Sequence, residues 1–109
     1  MALTEKELAQ ARENSTSAVS VYAPSGVRGI IKSVTLCNQT GSAVTFSLFK
    51  DSNGTTYDQS TSLYYQQSLA ANTTLQWDVF WVVPSGGNFA YQSGTANALT
   101  ITLDGAEIS

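Results

Sequence analysis

Histidine is absent from this 109-residue sequence, and cysteine occurs once, at Cys37. The common zinc sites need several histidine or cysteine ligands and a disulfide needs two cysteines, so the chain supplies neither on its own. Catalysis by a Ser-His-Asp or Cys-His set is excluded within the chain for the same reason. We therefore expect a protein that is not an enzyme, with no catalytic residue, no metal and no cofactor.

Charge is also scarce. Charged residues make up 12% of the chain, and eight acidic residues against five basic ones give a net charge of −3. Five dispersed basic residues cannot form the positive surface of a typical nucleic-acid binder, so no nucleic-acid partner is expected. No stretch is apolar enough to span a membrane, and charges occupy the position of the apolar segment in a secretory signal, so neither a membrane nor export is expected.

The N-terminal segment is the most charged part of the chain. Leu3, Leu8 and Ala11 have roughly helical spacing, and a threonine and a glutamate stand at capping-box spacing. The sequence therefore predicts a helix over residues 3–13 within an N-terminal arm, residues 1–16. Because so short a helix is unstable alone, we expect the arm to reach a neighbouring protein, with Leu3 and Leu8 as apolar anchors. Its removal is expected to leave the rest folded.

From residue 17 onward the sequence is typical of strands and turns. Apolar and polar residues alternate, and Gly, Pro and Asn turns recur about every 8–12 residues. This pattern predicts an all-β fold, a single jelly-roll-like antiparallel β-sandwich over residues 17–109, preceded by the short N-terminal arm or helix. The predicted strands are 17–23, 27–38, 43–50, 73–83, 89–93 and 98–104, with one or two more at an edge in 56–69.

Alternation assigns an inward and an outward face to each strand. Trp77 and Trp81 share an inward face and are expected to pack in the core. Ile30 falls on the same face as Val34 and Leu36. The outward apolar residues are Phe49, Phe80 and Val82.

The outward faces carry hydroxyl and amide side chains in place of charges. Only Asp58 and Asp78 are charged in the long stretch 52–103. Interface cores are depleted in charge, so these faces suit burial against other protein copies. Tyr64 and Tyr65 are adjacent and must point to opposite faces of a strand, so one of them is a candidate surface contact. The residues predicted to bind a partner are Leu3, Leu8, Tyr64, Tyr65 and Phe80.

Two short patterns are related to known chemistry. Asp51-x-Asn53-Gly54 partly matches a calcium-binding loop, but position twelve is Ser62 where a closing glutamate is needed. An Asn-Gly turn is the expected structure there. Asp104 and Glu107 are close enough in sequence to form a carboxylate pair, but nothing in the sequence places them in a cleft.

Seven short turn and strand segments follow one another in a characteristic order along the chain. The segments are Ala18–Tyr22, Pro24–Gly26, Ile30–Asn38, Ala43–Leu48, Ser68–Asn72, Ser93–Asn97 and Leu99–Ile108. In this series the chain resembles a group of small virion proteins of tailed bacteriophages, over most of residues 17–108. The loop Pro84–Gly87 departs from the Asp-rich turn of related chains. The resemblance implies a jelly-roll-like sandwich and a structural role in a virion, and it carries over no catalytic residue.

Within that group we expect a capsid decoration (cement) protein that binds and stabilises the major capsid shell. The alternative is a head or tail fibre or neck module that binds another virion protein or a host surface sugar. Because 109 residues contain no long repetitive shaft, decoration is favoured. The expected partners are the major capsid protein or other virion proteins, together with further copies of this chain in a homotrimer. The expected location is the virion, assembled in the host cytoplasm.

Overall fold

The computed structural model describes residues 3–109, which form eight β-strands in two four-stranded antiparallel sheets. The strands are β1 Leu3–Arg12, β2 Val19–Tyr22, β3 Arg28–Asn38, β4 Val44–Asp51, β5 Ser62–Leu69, β6 Thr74–Val83, β7 Asn88–Ser93 and β8 Leu99–Ile108. A single 3-10 turn, Gln59–Thr61, is the helical element of this part of the chain. Among the described residues, no helix has the length and apolar character to cross a membrane.

The strand order defines the architecture. The first sheet has the order β1-β8-β3-β6, and the second has the order β2-β7-β4-β5. Every connection crosses from one sheet to the other except that between β4 and β5, which are neighbours in the second sheet. Eight strands that alternate between two sheets in this way form a jelly roll. The predicted jelly-roll-like antiparallel sandwich is therefore confirmed.

The N-terminal segment is a strand, and the predicted helix over residues 3–13 is wrong. β1 pairs antiparallel with β8 from Leu3, opposite Ile108, to Arg12, opposite Thr100. An isolated helix of this length is marginal, whereas the edge of β8 offers a backbone partner along the whole segment. Residues 1 and 2 of the predicted arm lie outside the described residues.

The core lies between the two sheets and contains the residues that alternation predicts. The largest contribution comes from β3, β4 and β8, whose inward side chains are almost completely buried. Trp77 and Trp81 pack against this core from β6, as predicted, and they are half-buried because β6 is an edge strand. Trp81 stacks on Phe89 of the opposite sheet, with ring centroids 5.7 Å apart.

A bulge in β3 changes which isoleucine faces the core. Lys32 has no partner in β8, because the pairing skips it. This extra residue reverses the alternation, so Ile31 joins Val34 and Leu36 in the core cluster while Ile30 does not. The prediction that Ile30 shares a face with Val34 and Leu36 is therefore wrong. Alternation within one strand cannot reveal a bulge, which is defined by the neighbouring strand.

β8 continues to Ile108, past the Asp104-Gly105 pair at which the sequence predicts its end. Gly105 lies opposite the bulge of β3. A Cβ atom at this position would collide with the carbonyl oxygen of Ile30. Glycine is therefore present because the two backbones approach closely, and not because the strand ends there.

Phe49 is only 1% exposed, although the sequence predicts an outward and exposed position. Phe49 is not part of the core cluster between the sheets. Instead, Tyr57 and Tyr65 pack against it, with ring centroids 6.3 Å and 6.5 Å from that of Phe49. The connection between β4 and β5 thus folds over the outer side of the second sheet and forms a small separate aromatic cluster.

Candidate interaction surfaces

The five residues predicted to bind a partner lie in different environments. Leu3 and Phe80 are strongly exposed, at 61% and 70%, and Tyr65 is 37% exposed. Leu8 and Tyr64 are half-buried and pack against the core cluster. The structure therefore brings Leu3 and Phe80 to one sheet, and it places Tyr65 on the other. Partner binding by these residues stays a prediction.

Tyr64 and Tyr65 point to opposite sides of β5, as expected for adjacent residues in a strand. The ring of Tyr64 packs edge-on against Trp77 and Trp81, with centroids 5.5 Å and 6.1 Å away. Tyr65 instead covers Phe49 on the outer side of the second sheet. Of the two tyrosines, Tyr65 is therefore the one available to a partner.

An apolar stripe crosses all four strands on the outer face of the first sheet. Leu3 pairs with Ile108 across β1 and β8. In the next row, Ile30 pairs with Ala106 on one side and with Val82 on the other. No member of the stripe belongs to the core cluster between the sheets, although Ile30 and Ala106 are buried, at 9% and 0% exposure. The apolar stripe consists of Leu3, Ile108, Ala106, Ile30, Val82 and Phe80.

Sequence reasoning identified the two ends of this stripe and missed most of its middle. Ile30 is predicted on the face of Val34 and Leu36 because the bulge cannot be recognised from β3 alone. Ala106 and Ile108 were missed because β8 was expected to end at Asp104. The sequence contains one indication of the longer strand. Ala106 and Ile108 are apolar and alternate after Gly105, as expected if the strand continues past a glycine that allows two backbones to approach closely.

Charged residues flank the stripe on both sides. Arg28 lies on one side, exposed and without a salt bridge among residues 3–109. On the other side is a shallow hollow of about 390 Å³, lined by residues that include Glu5, Lys32 and Asp104. Lys32 pairs with Glu5 at 3.5 Å, and Lys6, which also lines the hollow, pairs with a glutamate of β8. Asp104 has no salt bridge within the described part of the chain.

The outer face of the second sheet has a different character. Beside the aromatic cluster around Phe49, it presents mainly hydroxyl and amide side chains, and by alternation no lysine or arginine among the described residues points outward from it. Ser47 Oγ accepts from the N–H of Gln66 at 2.9 Å, and Gln92 Nε2 donates to the carbonyl of Thr16 at 3.0 Å. A hollow of about 270 Å³ lies among them. The uncharged face consists of Ser20, Thr45, Ser47, Gln66, Asn88 and Gln92.

The open end of the sandwich is closed by a polar cluster. The hydroxyl of Tyr22 donates to Glu107 Oε2 at 2.6 Å, and Lys6 Nζ donates to Oε1 at 3.0 Å. These two bonds, the one from Tyr22 first, hold the pKa of Glu107 below its usual range. Burial, followed by the bond to Glu107, raises the pKa of Tyr22. Asp104 lies on the outer side of β8, so it forms no pair with Glu107.

At the other end of β1, a buried carboxylate marks the point where the chain leaves the first sheet. Glu13 is 9% exposed, and burial raises its pKa. Its Oε1 accepts from Ser15 Oγ at 2.8 Å, while its Oε2 has no hydrogen-bond partner. The backbone N–H of Glu13 donates to the hydroxyl of Tyr91 at 2.6 Å, and its carbonyl accepts from Asn97 N at 2.9 Å. These bonds attach the end of β1 to the rest of the sandwich.

Asp51 closes the turn that follows β4. Its two carboxylate oxygens accept from the N–H groups of Asn53, at 3.1 Å, and Thr56, at 2.8 Å. The calcium-like pattern of the sequence therefore corresponds to a turn in which the aspartate binds the backbone, as expected for an Asn-Gly turn.

Comparison with known proteins relates this chain to others by fold. The chain is a jelly-roll β-sandwich, and 97% of it matches part of a chain in the structure of infectious bursal disease virus, Gx strain, with a TM-score of 0.55 and 10% sequence identity. It spans about a third of that chain, 32% of its length. At this identity the likeness shows a shared fold. No protein-family model and no curated protein sequence matches the chain.

Proposed function

We propose that this chain is a virion structural protein of a tailed bacteriophage, a decoration protein that binds and stabilises the major capsid shell. The observation that carries the proposal is the complete jelly-roll topology, a fold that recurs in viral capsid domains. The fold likeness to a chain from a virus structure supports it, as does the sequence resemblance to small phage virion proteins. The chain acts by binding, without catalysis or a cofactor, and its location is the virion.

The uncharged face is the surface that contacts the shell in this proposal. Hydroxyl and amide groups are less costly to remove from water than charges, and they form hydrogen bonds with a protein partner. The side chains of Gln66 and Thr45 are exposed on this face. A charge introduced there would have to be buried without a partner, which opposes docking.

The test is incorporation of matched variants into virions. Gln66→Lys places a charge on the uncharged face, and Gln76→Lys places the same charge at an exposed position of the first sheet. We expect Gln66→Lys to reduce the amount of this chain in purified virions and Gln76→Lys to leave it unchanged. A copy number close to that of the major capsid protein supports decoration. Absence of the wild-type chain from virions contradicts the proposal.

A second candidate function, a fibre or neck module that binds a host surface sugar, is favoured by one hollow. Exposed Tyr65 lines it beside Asp58, Gln59 and Ser60, in a volume of about 590 Å³. An aromatic ring next to carboxylate and amide groups is the arrangement that binds a sugar ring by stacking and hydrogen bonds. Calorimetric titration of wild type and Tyr65→Ala with neutral oligosaccharides tests it. Binding that Tyr65→Ala abolishes, together with few copies per virion, supports the sugar-binding module over decoration.

A further inference from the structure

We infer that the apolar stripe packs against the stripe of a second copy of this chain, about a two-fold axis that lies in the plane of the face and runs along the stripe. The contact is isologous, because the same residues are contributed by both copies. This inference concerns the isolated chain and does not rest on the virion role. It also leaves the uncharged face of each copy accessible.

Exposure is the first argument. Phe80 and Leu3 are the two most exposed large apolar residues of the described chain, and they stand at opposite ends of the stripe. Between them, Ile108 and Val82 are half-buried, while Ile30 and Ala106 are buried. Single exposed apolar residues are ordinary on a protein surface, whereas an apolar surface that is exposed at several points of one face is typical of an interaction site. The stripe is therefore a stronger indication of a contact than either residue alone.

The size of the face is sufficient for a dimer. Four strands spaced about 4.8 Å apart and about 33 Å long give an outer face of roughly 600 Å² per copy. Two such faces in contact bury about 1,200 Å², which is the lower end of the range for stable specific interfaces. An aromatic residue such as Phe80 within this area is the type of side chain that contributes most to binding.

Charge complementarity selects a second copy and one axis. The stripe runs diagonally from Leu3 on β1 to Phe80 on β6, and it separates Arg28 from the hollow. The two lysines that line the hollow are paired with glutamates, which leaves Asp104 as its unpaired charge. A two-fold axis along the stripe places the part of the face on one side of the stripe in each copy over the part on the opposite side in the other copy. Arg28 of each copy then lies over the hollow of the other, near Asp104.

The alternative axis in the plane of the face, perpendicular to the stripe, has the opposite effect. It places Arg28 of one copy against Arg28 of the other, and it places the unpaired Asp104 of one copy near Asp104 of the other. Like charges in contact are unfavourable, so the axis along the stripe is selected. Arg28 and Asp104 have no salt bridge within residues 3–109, as is also true of Glu7 and Asp78 on this face, and this axis brings Arg28 and Asp104 together.

Sedimentation equilibrium of the full chain over a concentration series tests the inference. We expect wild type to form a dimer, in place of the homotrimer expected from the sequence. Phe80→Ser should weaken the dimer by about tenfold or more, as expected for the loss of a strongly exposed aromatic anchor. Val19→Ser is the matched control, because Val19 is an exposed apolar residue of the second sheet. Its dimer should be unchanged, and circular dichroism confirms that both variants are folded.

A charge exchange tests the axis. Arg28→Glu alone should weaken the dimer because it places a glutamate near Asp104, and Arg28→Glu combined with Asp104→Arg should restore it. A wild-type chain that stays monomeric, a trimer, or a dimer unaffected by Phe80→Ser overturns the inference. Failure of the double variant to restore the dimer overturns the axis. None of these outcomes depends on virions, so the proposed virion role is judged separately.

Discussion

Single residues at the bulge of β3 determine what both faces of the first sheet contain. Lys32 is the extra residue, and its insertion moves Ile31 into the core and Ile30 onto the apolar stripe. Gly105 makes the bulge possible, since the carbonyl of Ile30 occupies the space where a side chain would begin. The stripe therefore depends on a residue that is not part of it.

Gly105→Ala is expected to destabilise the protein by about 3 kcal/mol, because the obstacle is backbone and cannot rotate away. The control is Gly41→Ala, a position where an added Cβ meets no atom within 4 Å and where φ is not positive. Chemical denaturation with urea measures both. A Gly105→Ala protein as stable as the Gly41→Ala control would contradict the close approach of β8 and β3.

Glu107 provides a prediction about pH. Its pKa in the folded protein lies below its usual value of 4.5, mainly through the bonds from Tyr22 and Lys6. A lowered carboxyl pKa contributes stability above the unfolded pKa, and that stability is lost as pH falls through the folded pKa. Glu107→Gln should therefore cost about 1 kcal/mol near neutral pH and progressively less in acid.

Thermal unfolding of wild type and Glu107→Gln between neutral pH and acid checks this prediction. Glu13 has the opposite shift, because burial raises its pKa, but it is present in both proteins and cancels in the difference. Glu7→Gln, at an exposed position of β1, is the control and should show little difference at any pH. If the loss of stability in Glu107→Gln stayed constant in acid, the two hydrogen bonds would not depend on the charge of Glu107.

At the scale of elements, β1 is the strand whose role differs most from the sequence-based expectation. It covers the edge of β8, and Leu8, Ala9 and Ala11 pack against the core cluster. The backbone bonds of Glu13 to Tyr91 and Asn97 fix its end. A segment with these contacts is an edge strand of the sandwich.

Deletion of residues 2–12 is therefore expected to lower the melting temperature markedly or to cause aggregation, because it exposes the edge of β8 and part of the core. This expectation replaces the sequence-based one, in which the remaining domain melts unchanged. Differential scanning calorimetry of the truncated and full chains decides between them. An unchanged melting temperature would restore the view of residues 1–16 as an arm.

At the scale of the whole molecule, the two outer faces differ in charge and polarity. Most charges of the strands lie on the first sheet around the apolar stripe, and the second sheet presents the uncharged face. A jelly roll presents two broad faces on opposite sides of one core, so a single small domain offers two separate contacts. The dimer and the shell contact proposed above use different faces.

The topology also predicts the folding rate. All strand pairings except that of β4 with β5 join segments that are not consecutive in the chain, and β1 pairs with β8. Loop closure must precede such contacts, so refolding should take milliseconds to seconds, as is typical of proteins dominated by non-local pairing. Stopped-flow fluorescence of Trp77 and Trp81 after dilution from urea measures it. Complete refolding within microseconds would contradict this pairing scheme.

The sequence by itself determined the all-β class, most strands after residue 16 and most of the core. The reason is local: alternation in Leu99–Leu103 and Trp77–Val83 requires no knowledge of the neighbouring strands. The turns after β2 and β4 follow equally from Pro24–Gly26 and Asp51–Gly54, since their backbone preferences are intrinsic. The two ends of the apolar stripe, Leu3 and Phe80, can also be predicted from the sequence as candidate contact residues.

Only the tertiary structure decided the features that depend on a partner strand. The segment of β1 has helical spacing but becomes a strand because β8 offers an open edge. Ile30 faces outward because Lys32 is a bulge relative to β8, and Phe49 is buried because a distant loop carries Tyr57 over it. Propensity and alternation describe one segment at a time, whereas pairing, bulges and coverage arise between segments far apart in the chain.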